Sequence, residues 1–566
     1  MEQLILQFLQ KHLEQKMCSM IQCSAVPKGQ TGDLALSFFA LSKEMKQSPV
    51  AIAQDIGKKL ESCDLVDKTE VAGPYLNLFF KNEAFFTQVF ATPLKSTVMK
   101  GKTIVLEFSG PNTNKPLHLG HMRNHALGIS VSNLLEQVGA EMHRVNIIND
   151  RGVHICKSML AYQKWGNDET PESTGVKPDL FVGNYYVRFD QELKKDESLM
   201  EEVQAMLKLW EAGEPDTMAL WKKMSAWALS GHAKTYERQG IKFEKDYFES
   251  DYYKKGKELA ENGLKKKVFK KRADGAIVVD LTEEGLDEKV VLRSDGTSIY
   301  LTQDLAVAEA RKKDFKPNQL MYVVADEQNY HFKVLFHCLA KLGLLKYEEC
   351  HHLGYGLVNL PDGRMKSREG TVVDADNLMD ELSALAQEAI VKRNPELTHE
   401  EATTIAEQIQ NAAWKFYLLS TSPKKSITFD SQKSIQFEGA TGPYLQYAGV
   451  RIKSILKKAK IEPGLEKGLE KNNPGSILNQ PEKRLGIKII EFPNVLEKAS
   501  ETLNPTYVVT YLLELAQEWS SFYAENSILK ADTEELKQAR LQLAQKVLEV
   551  LESGLAVLGI EVPEKM

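Results

Sequence analysis

Apolar positions along this chain change their period several times, and each change marks a new element. Residues 1–20 put Ile5, Phe8, Leu9, Leu13 and Met17 on one helical face. GDLALSFFALSKEM opens like a strand. SPVAIAQDIGKKL reads as a helix whose start is signalled by Ser48 and Pro49. VAGPYLNLFF, residues 71–80, alternates as a strand does. Together these segments predict a small α+β module over residues 1–100.

A different pattern begins at Thr103. TIVLEF is a short apolar run of the kind buried in a parallel strand. The polar loop SGPNTNKP follows. Then Leu119, Met122, Ala126, Leu127, Leu134, Leu135 and Val138 set a helical period, and AEMHRVNIIN reads as a second strand. This β–α–β unit predicts a Rossmann-like parallel sheet over residues 101–385, with its site at the strand C-termini. An insertion is expected near residues 155–290, helical and rich in Trp and Lys from about 155 to 245. Strands resume at DGAIVVDL, VVLRSDGTSIY and QLMYVVADE. From residue 386 to 566 the pattern is almost wholly helical, interrupted by a Pro- and Gly-containing loop at 461–482.

Composition narrows the classes. The chain has 566 residues, 43% hydrophobic and 27% charged, with 72 Lys+Arg against 78 Asp+Glu and a formal net charge of −6. Such a chain is no general polycation, so any nucleic-acid contact must use local basic patches. The six cysteines form no C-x-x-C pair, which argues against zinc knuckles and a disulfide framework. No apolar run approaches the ~18 residues of a membrane helix. The N-terminus resembles neither a signal nor a transit peptide, so a cytoplasmic location is expected.

Two segments carry chemistry. His118-Leu119-Gly120-His121 opens a helix directly after a strand and loop. Both histidines fall on one face of a first turn whose free N–H groups and dipole suit polyphosphate. Gly120 is expected to leave room for an adenine ring or ribose. Far downstream, Gly363-Arg364-Met365-Lys366-Ser367-Arg368-Glu369-Gly370 is a basic loop able to neutralise a leaving pyrophosphate. Cys350-His351-His352 is not expected to bind metal, because adjacent side chains of an extended segment point apart. Lys265–Arg272 reads as a charged edge strand, with tRNA contact as the alternative. RIKSILKKAK, residues 451–460, follows aromatics on a helix and suits RNA phosphates and bases.

The HxGH and RMKSR segments resemble the two signatures of class I aminoacyl-tRNA synthetases. EFSGPNTNKPLHLGHMRNHALG, LRSDGTSIYLTQDLA, RMKSREGTVV, FEGATGPYLQYAGVR and GLAVLGIEVPEKM are similar to arginyl-tRNA synthetases in particular. The resemblance runs over nearly the whole chain. It implies an N-terminal tRNA-contacting domain, a catalytic core and a helical anticodon-binding domain. It implies ligation of L-arginine to tRNA(Arg) through an arginyl-adenylate, with ATP as substrate, Mg²⁺ beside it, and a monomeric enzyme. The resemblance assigns catalysis to His118, His121, Lys115 and Lys366. ATP binding falls to these and to Gly120, Met365 and Arg368, and arginine binding to Glu107, Asn112, Tyr300, Asp304 and Gln328. Arginine is a planar cation with a fork of donors, which suits carboxylates and a phenol. One departure stands out: Ser367 occupies the second-lysine position of the loop signature, and Lys115 is expected to compensate.

Overall fold

The computed structural model describes residues 1–24, 26, 27, 29–361, 373–460 and 479–566. Its centre is a five-stranded parallel sheet. Strand Thr103–Glu107 lies in the middle, flanked by Glu141–Ile148 and then Lys245–Phe248 on one side. Gln319–Ala325 and then Cys350–Tyr355 lie on the other. Both neighbours of Thr103–Glu107 are parallel to it, but the chain reaches them in opposite directions. That reversal opens a crevice at the strand C-termini, where open α/β sheets bind ligands.

Helix Leu119–Gln137 packs beside this sheet and is buried nearly all round, as expected of a helix inside a core. Gly128 lets it approach closely: an added Cβ would lie 2.3 Å from the Phe108 ring. Between Ile148 and Lys245 the chain inserts helices Val153–Trp165, Pro178–Leu193, Leu199–Ala212 and Pro215–Gln239. A small antiparallel sheet follows, and Lys270–Lys271 is its edge strand. The expected strand over Lys265–Arg272 is thus reduced to two residues, because Lys265 still ends helix Glu249–Lys265 and Lys267 adopts φ +60°.

The N-terminal module is a four-stranded antiparallel sheet carrying helices Phe39–Met45 and Pro49–Leu60. Ser48 caps the second, accepting from Ala51 N–H at 3.2 Å. Two details differ from the pattern reading. The first twenty residues hold two short helices, Glu2–Leu9 and Gln15–Cys18, not one. VAGPYLNLFF is the turn and second arm of a hairpin, Val66–Ala72 with Tyr75–Phe80, because Gly73 turns the chain at φ +62°. The module's core is continuous with that of the C-terminal helices. Helix Gln480–Thr502 lies against it, with Gly486 facing Phe85 and Val89.

The helical region begins with Ala375–Arg393, which runs through residues 385 and 386, and continues in His399–Leu419, Gly442–Lys458, Gln480–Thr502, Thr506–Glu525 and Glu534–Val557. Residues 461–478 of the expected loop lie outside the described residues. No helix among the described residues is long and apolar enough to cross a membrane.

Candidate active site

Strand Thr103–Glu107 ends in an unusual turn. Ser109 sits at φ +81°, a conformation rare outside glycine. Hydrogen bonds hold it there. Its N–H donates to Asn124 Oδ1 at 2.6 Å, and its hydroxyl lies 2.8 Å from His125 Nε2 and 2.7 Å from the Tyr236 hydroxyl. Gly110 N–H donates to Asn146 Oδ1 at 3.0 Å. The loop then pairs with the neighbouring strand end through Asn112 and Asn149. Lys115 follows, its carbonyl 2.9 Å from His232 Nε2 on the inserted helix.

His118 is the N-cap of helix Leu119–Gln137. Its Nδ1 accepts from Gly120 N–H at 3.1 Å, and its own N–H donates to His121 Nδ1 at 3.1 Å. This reciprocal arrangement is a capping box. It also fixes both tautomers. A neutral imidazole that accepts at Nδ1 carries its proton on Nε2. Burial keeps the rings neutral: it lowers the His118 pKa to about 4, with Lys115 adding to the shift, and holds His121 well below the usual histidine value. Two rings with Nε2–H donors therefore sit side by side at the positive end of the helix, their centres 3.9 Å apart. Gly120 serves this arrangement. A Cβ there would lie 2.9 Å from His118 Cε1, so the glycine lets the His118 ring close over the first turn.

A cavity of about 830 Å³ opens at the switch point. Lys115, His118, Gly120 and His121 line it, and so do Glu107, Asn112, Tyr300, Asp304 and Gln328. Nine residues expected from sequence thus meet in one place. Tyr300 and Asp304 lie one turn apart at the start of helix Tyr300–Phe315. Tyr300 stands 71% exposed at the cavity mouth. Gln328 ends a short turn, Asp326–Gln328, after strand Gln319–Ala325. Met365, Lys366 and Arg368 lie outside the described residues.

The cavity's acids are not equivalent. Glu107 is buried and paired with the buried Arg311 guanidinium. Burial raises its pKa, and Arg311 opposes that rise. Asp304 accepts from His331 Nε2 at 2.6 Å. Burial alone would lower the His331 pKa, but the hydrogen bond and charge of Asp304 raise it overall. A further acid, close to Asp304 but outside the cavity lining, escaped the sequence reading. Glu249 opens helix Glu249–Lys265 and is buried. Burial, then the charges of Asp304 and Asp150, push its pKa up to about 8 against the pull of Arg151. A helix-starting glutamate is an ordinary surface pattern, so nothing in the linear sequence marked it.

Among known families, a model described as tRNA synthetases class I (R), catalytic domain, matches residues 87–430. The chain belongs to the class I arginyl-tRNA synthetase family. An Arginyl tRNA synthetase N terminal domain model matches residues 1–80, and a DALR anticodon binding domain model matches residues 445–566. The chain is 44% identical over 559 residues to an arginine–tRNA ligase of Treponema denticola, covering 96% of this chain and 95% of that protein. A relative of the same name from Amoebophilus asiaticus is 42% identical over 563 residues, covering 94% of each. The solved Thermus thermophilus arginyl-tRNA synthetase superposes with a TM-score of 0.84 at 27% identity, covering 100% of this chain and 99% of that one.

As a member of this family, the chain is a ligase that joins arginine to tRNA, with ATP as a substrate. Cys350, His351 and His352 lie on a core strand, where His352 Nε2 donates to the Val324 carbonyl at 3.0 Å and its ring stacks on Phe332. Among the described residues no group of three or more His, Cys, Asp or Glu is placed to hold a metal ion.

Proposed function

We propose that the cavity at the switch point carries out arginine activation, with the residues divided into two sets. Asp304 and Tyr300 receive the guanidinium, and the buried Glu249 acts on them through its charge interaction with Asp304. Glu107, Asn112 and Gln328 orient the α-ammonium and α-carboxylate. An α-carboxylate oxygen then attacks the α-phosphorus of ATP, and the bond to pyrophosphate breaks. His118 and His121 donate Nε2–H to phosphate oxygens as charge builds, and Lys115 supplies a cation beside them. Met365, Lys366 and Arg368 complete this second set. The substrate brings its own nucleophile, so catalysis is positioning and charge stabilisation. A ribose hydroxyl at the tRNA end next attacks the arginyl carbonyl, and AMP leaves.

One observation carries this reading: two tautomer-fixed imidazole donors and a set of carboxylates share a single cavity. The names of the relatives support arginine and tRNA(Arg) as partners. Mg²⁺ would come with the nucleotide. The described residues offer no cage of their own, and Mg²⁺ is commonly held by substrate phosphates and water. For tRNA, Arg451 lies over the Tyr447 and Tyr523 rings on the C-terminal helices, a cation–aromatic surface suited to bases and phosphates. We place the enzyme in the cytoplasm as a monomer.

Charging of total tRNA tests the proposal. Each amino acid is supplied in turn with ATP, and label is counted on tRNA. Arginine alone should be transferred. Transfer of another amino acid at a comparable rate would overturn the assignment of the carboxylates.

A further inference from the structure

One face of the inserted helix Pro215–Gln239 grips two segments that flank the signature histidines. His232 Nε2 donates to the Lys115 carbonyl at 2.9 Å. Three residues on, the Thr235 hydroxyl donates to Asp376 Oδ2 at 2.7 Å. Lys177, just before helix Pro178–Leu193, closes the cluster. Its ammonium reaches Asp179 Oδ2 at 3.0 Å, the Thr235 hydroxyl at 2.6 Å and Asp376 Oδ2. Asp179, Thr235 and His232 are buried. The helices meet too closely for larger residues: a Cβ on Gly231 would lie 2.3 Å from Asp179 Oδ1, and one on Gly183 would lie 2.8 Å from Pro116 Cδ.

Asp376 matters because of what stands beside it. Val373 O accepts from Leu119 N–H at 3.0 Å, Ala375 N–H donates to Leu117 O at 3.0 Å, and His118 and Asp374 pair as a bridge. The segment that Lys177 and Thr235 hold is therefore the segment that holds His118. The helix face that secures it also secures Lys115.

We propose that Lys177 is a positioning residue for arginine activation: through its ion pair with Asp376 the helical insertion becomes a clamp that fixes Lys115 relative to His118. Without the ammonium, Asp179 and Asp376 would face each other across Thr235 with no cation between them. A buried and a half-buried carboxylate so placed repel, and the Asp376 side of the clamp would shift. This rests on the phosphate roles assigned above to Lys115 and His118.

The test is ATP–pyrophosphate exchange by the full chain with arginine and tRNA present, together with thermal unfolding. Lys177→Met keeps the stem and removes the charge. Its kcat should fall about 10- to 100-fold, the scale of a small misplacement of reacting groups. The KM values for ATP and arginine should stay within about threefold, since neither substrate touches Lys177, and Lys177→Arg should recover most of the rate. If Lys177→Met does not fold, Thr235→Val carries the test, being nearly isosteric, and should show the same kcat-only loss to a smaller degree. An unchanged kcat in the folded variant, KM values rising in step with the lost rate, or no recovery by arginine would overturn the clamp. Failure of the unaltered enzyme to exchange would instead overturn the roles on which it rests.

Discussion

His118 and His121 cap one another. The backbone N–H of His118 donates to His121 Nδ1, while His118 Nδ1 accepts from Gly120 N–H. The pair spends its Nδ1 atoms on the fold and keeps its Nε2–H groups for a ligand. His121→Ala should therefore lower kcat for activation by about 10²–10³, the usual cost of a donor that meets developing charge. ATP and arginine KM values should move only a few-fold. A parallel loss of ATP binding would mean a ground-state role.

The same geometry predicts a pH response. With His118 at about 4 and His121 well below its ordinary value, both rings are neutral across the physiological range. At saturating substrates, kcat should not fall as pH rises through about 6.5. A fall there would show that an imidazolium does the work.

Stability should respond to acid. Burial lowers the folded-state pKa of His118, His154 and His352 to about 4 and of His125 to about 3. Below about 6.5 the unfolded chain takes up protons that the folded chain refuses. The stabilisation is present above that value and is lost as pH falls toward these lowered values. Thermal unfolding should drop steeply between about pH 6.5 and 4, and the drop should lessen in a folded His125→Gln variant. A flat profile would contradict the buried neutral rings.

Arginine binding should release a proton. Glu249, at about 8, is mostly protonated at neutral pH, and a guanidinium arriving beside Asp304 favours its ionised form. The arginine KM should fall several-fold as pH rises from about 7 to 8.5, and Glu249→Gln should flatten that slope. Asp304→Ala should raise the arginine KM much more, by ~2–5 kcal/mol in binding, with ATP little affected. An arginine KM independent of pH in the unaltered enzyme would show that Glu249 does not influence arginine binding.

The N-terminal module is stapled to the C-terminal helices. Lys483 donates to Asp33 Oδ2 at 3.0 Å and to the Phe80 carbonyl at 3.1 Å in a buried junction. Asp33→Ala would leave that ammonium without its partner, at a cost of ~3–5 kcal/mol. Deleting residues 1–95 should accordingly lower the melting temperature as well as tRNA affinity. A truncated chain that melts like the whole would refute the junction's structural role.

What could be read in advance was local. The run TIVLEF, the helical period after His118 and the four-residue step from Tyr300 to Asp304 depend on neighbours in sequence, and the structure contains each of these elements. The hairpin at Gly73 was also local, but its turn was hidden inside an alternating run. Other features depend on partners far along the chain. Glu107 meets Arg311 across 204 positions, Lys115 meets His232 across 117, and Asp33 meets Lys483 across 450. No periodicity encodes such pairings. Ser109 was hidden differently: its positive φ is imposed by Asn124, His125 and Tyr236, not by its own residue type.

The most direct test of one cavity serving both substrates is ATP–pyrophosphate exchange with tRNA present, run with arginine and with each other amino acid. The unaltered enzyme, His121→Ala and Asp304→Ala are compared. The account predicts exchange with arginine alone, lost in kcat for His121→Ala and in arginine KM for Asp304→Ala. Exchange driven equally by another amino acid, or unchanged in both variants, would contradict it.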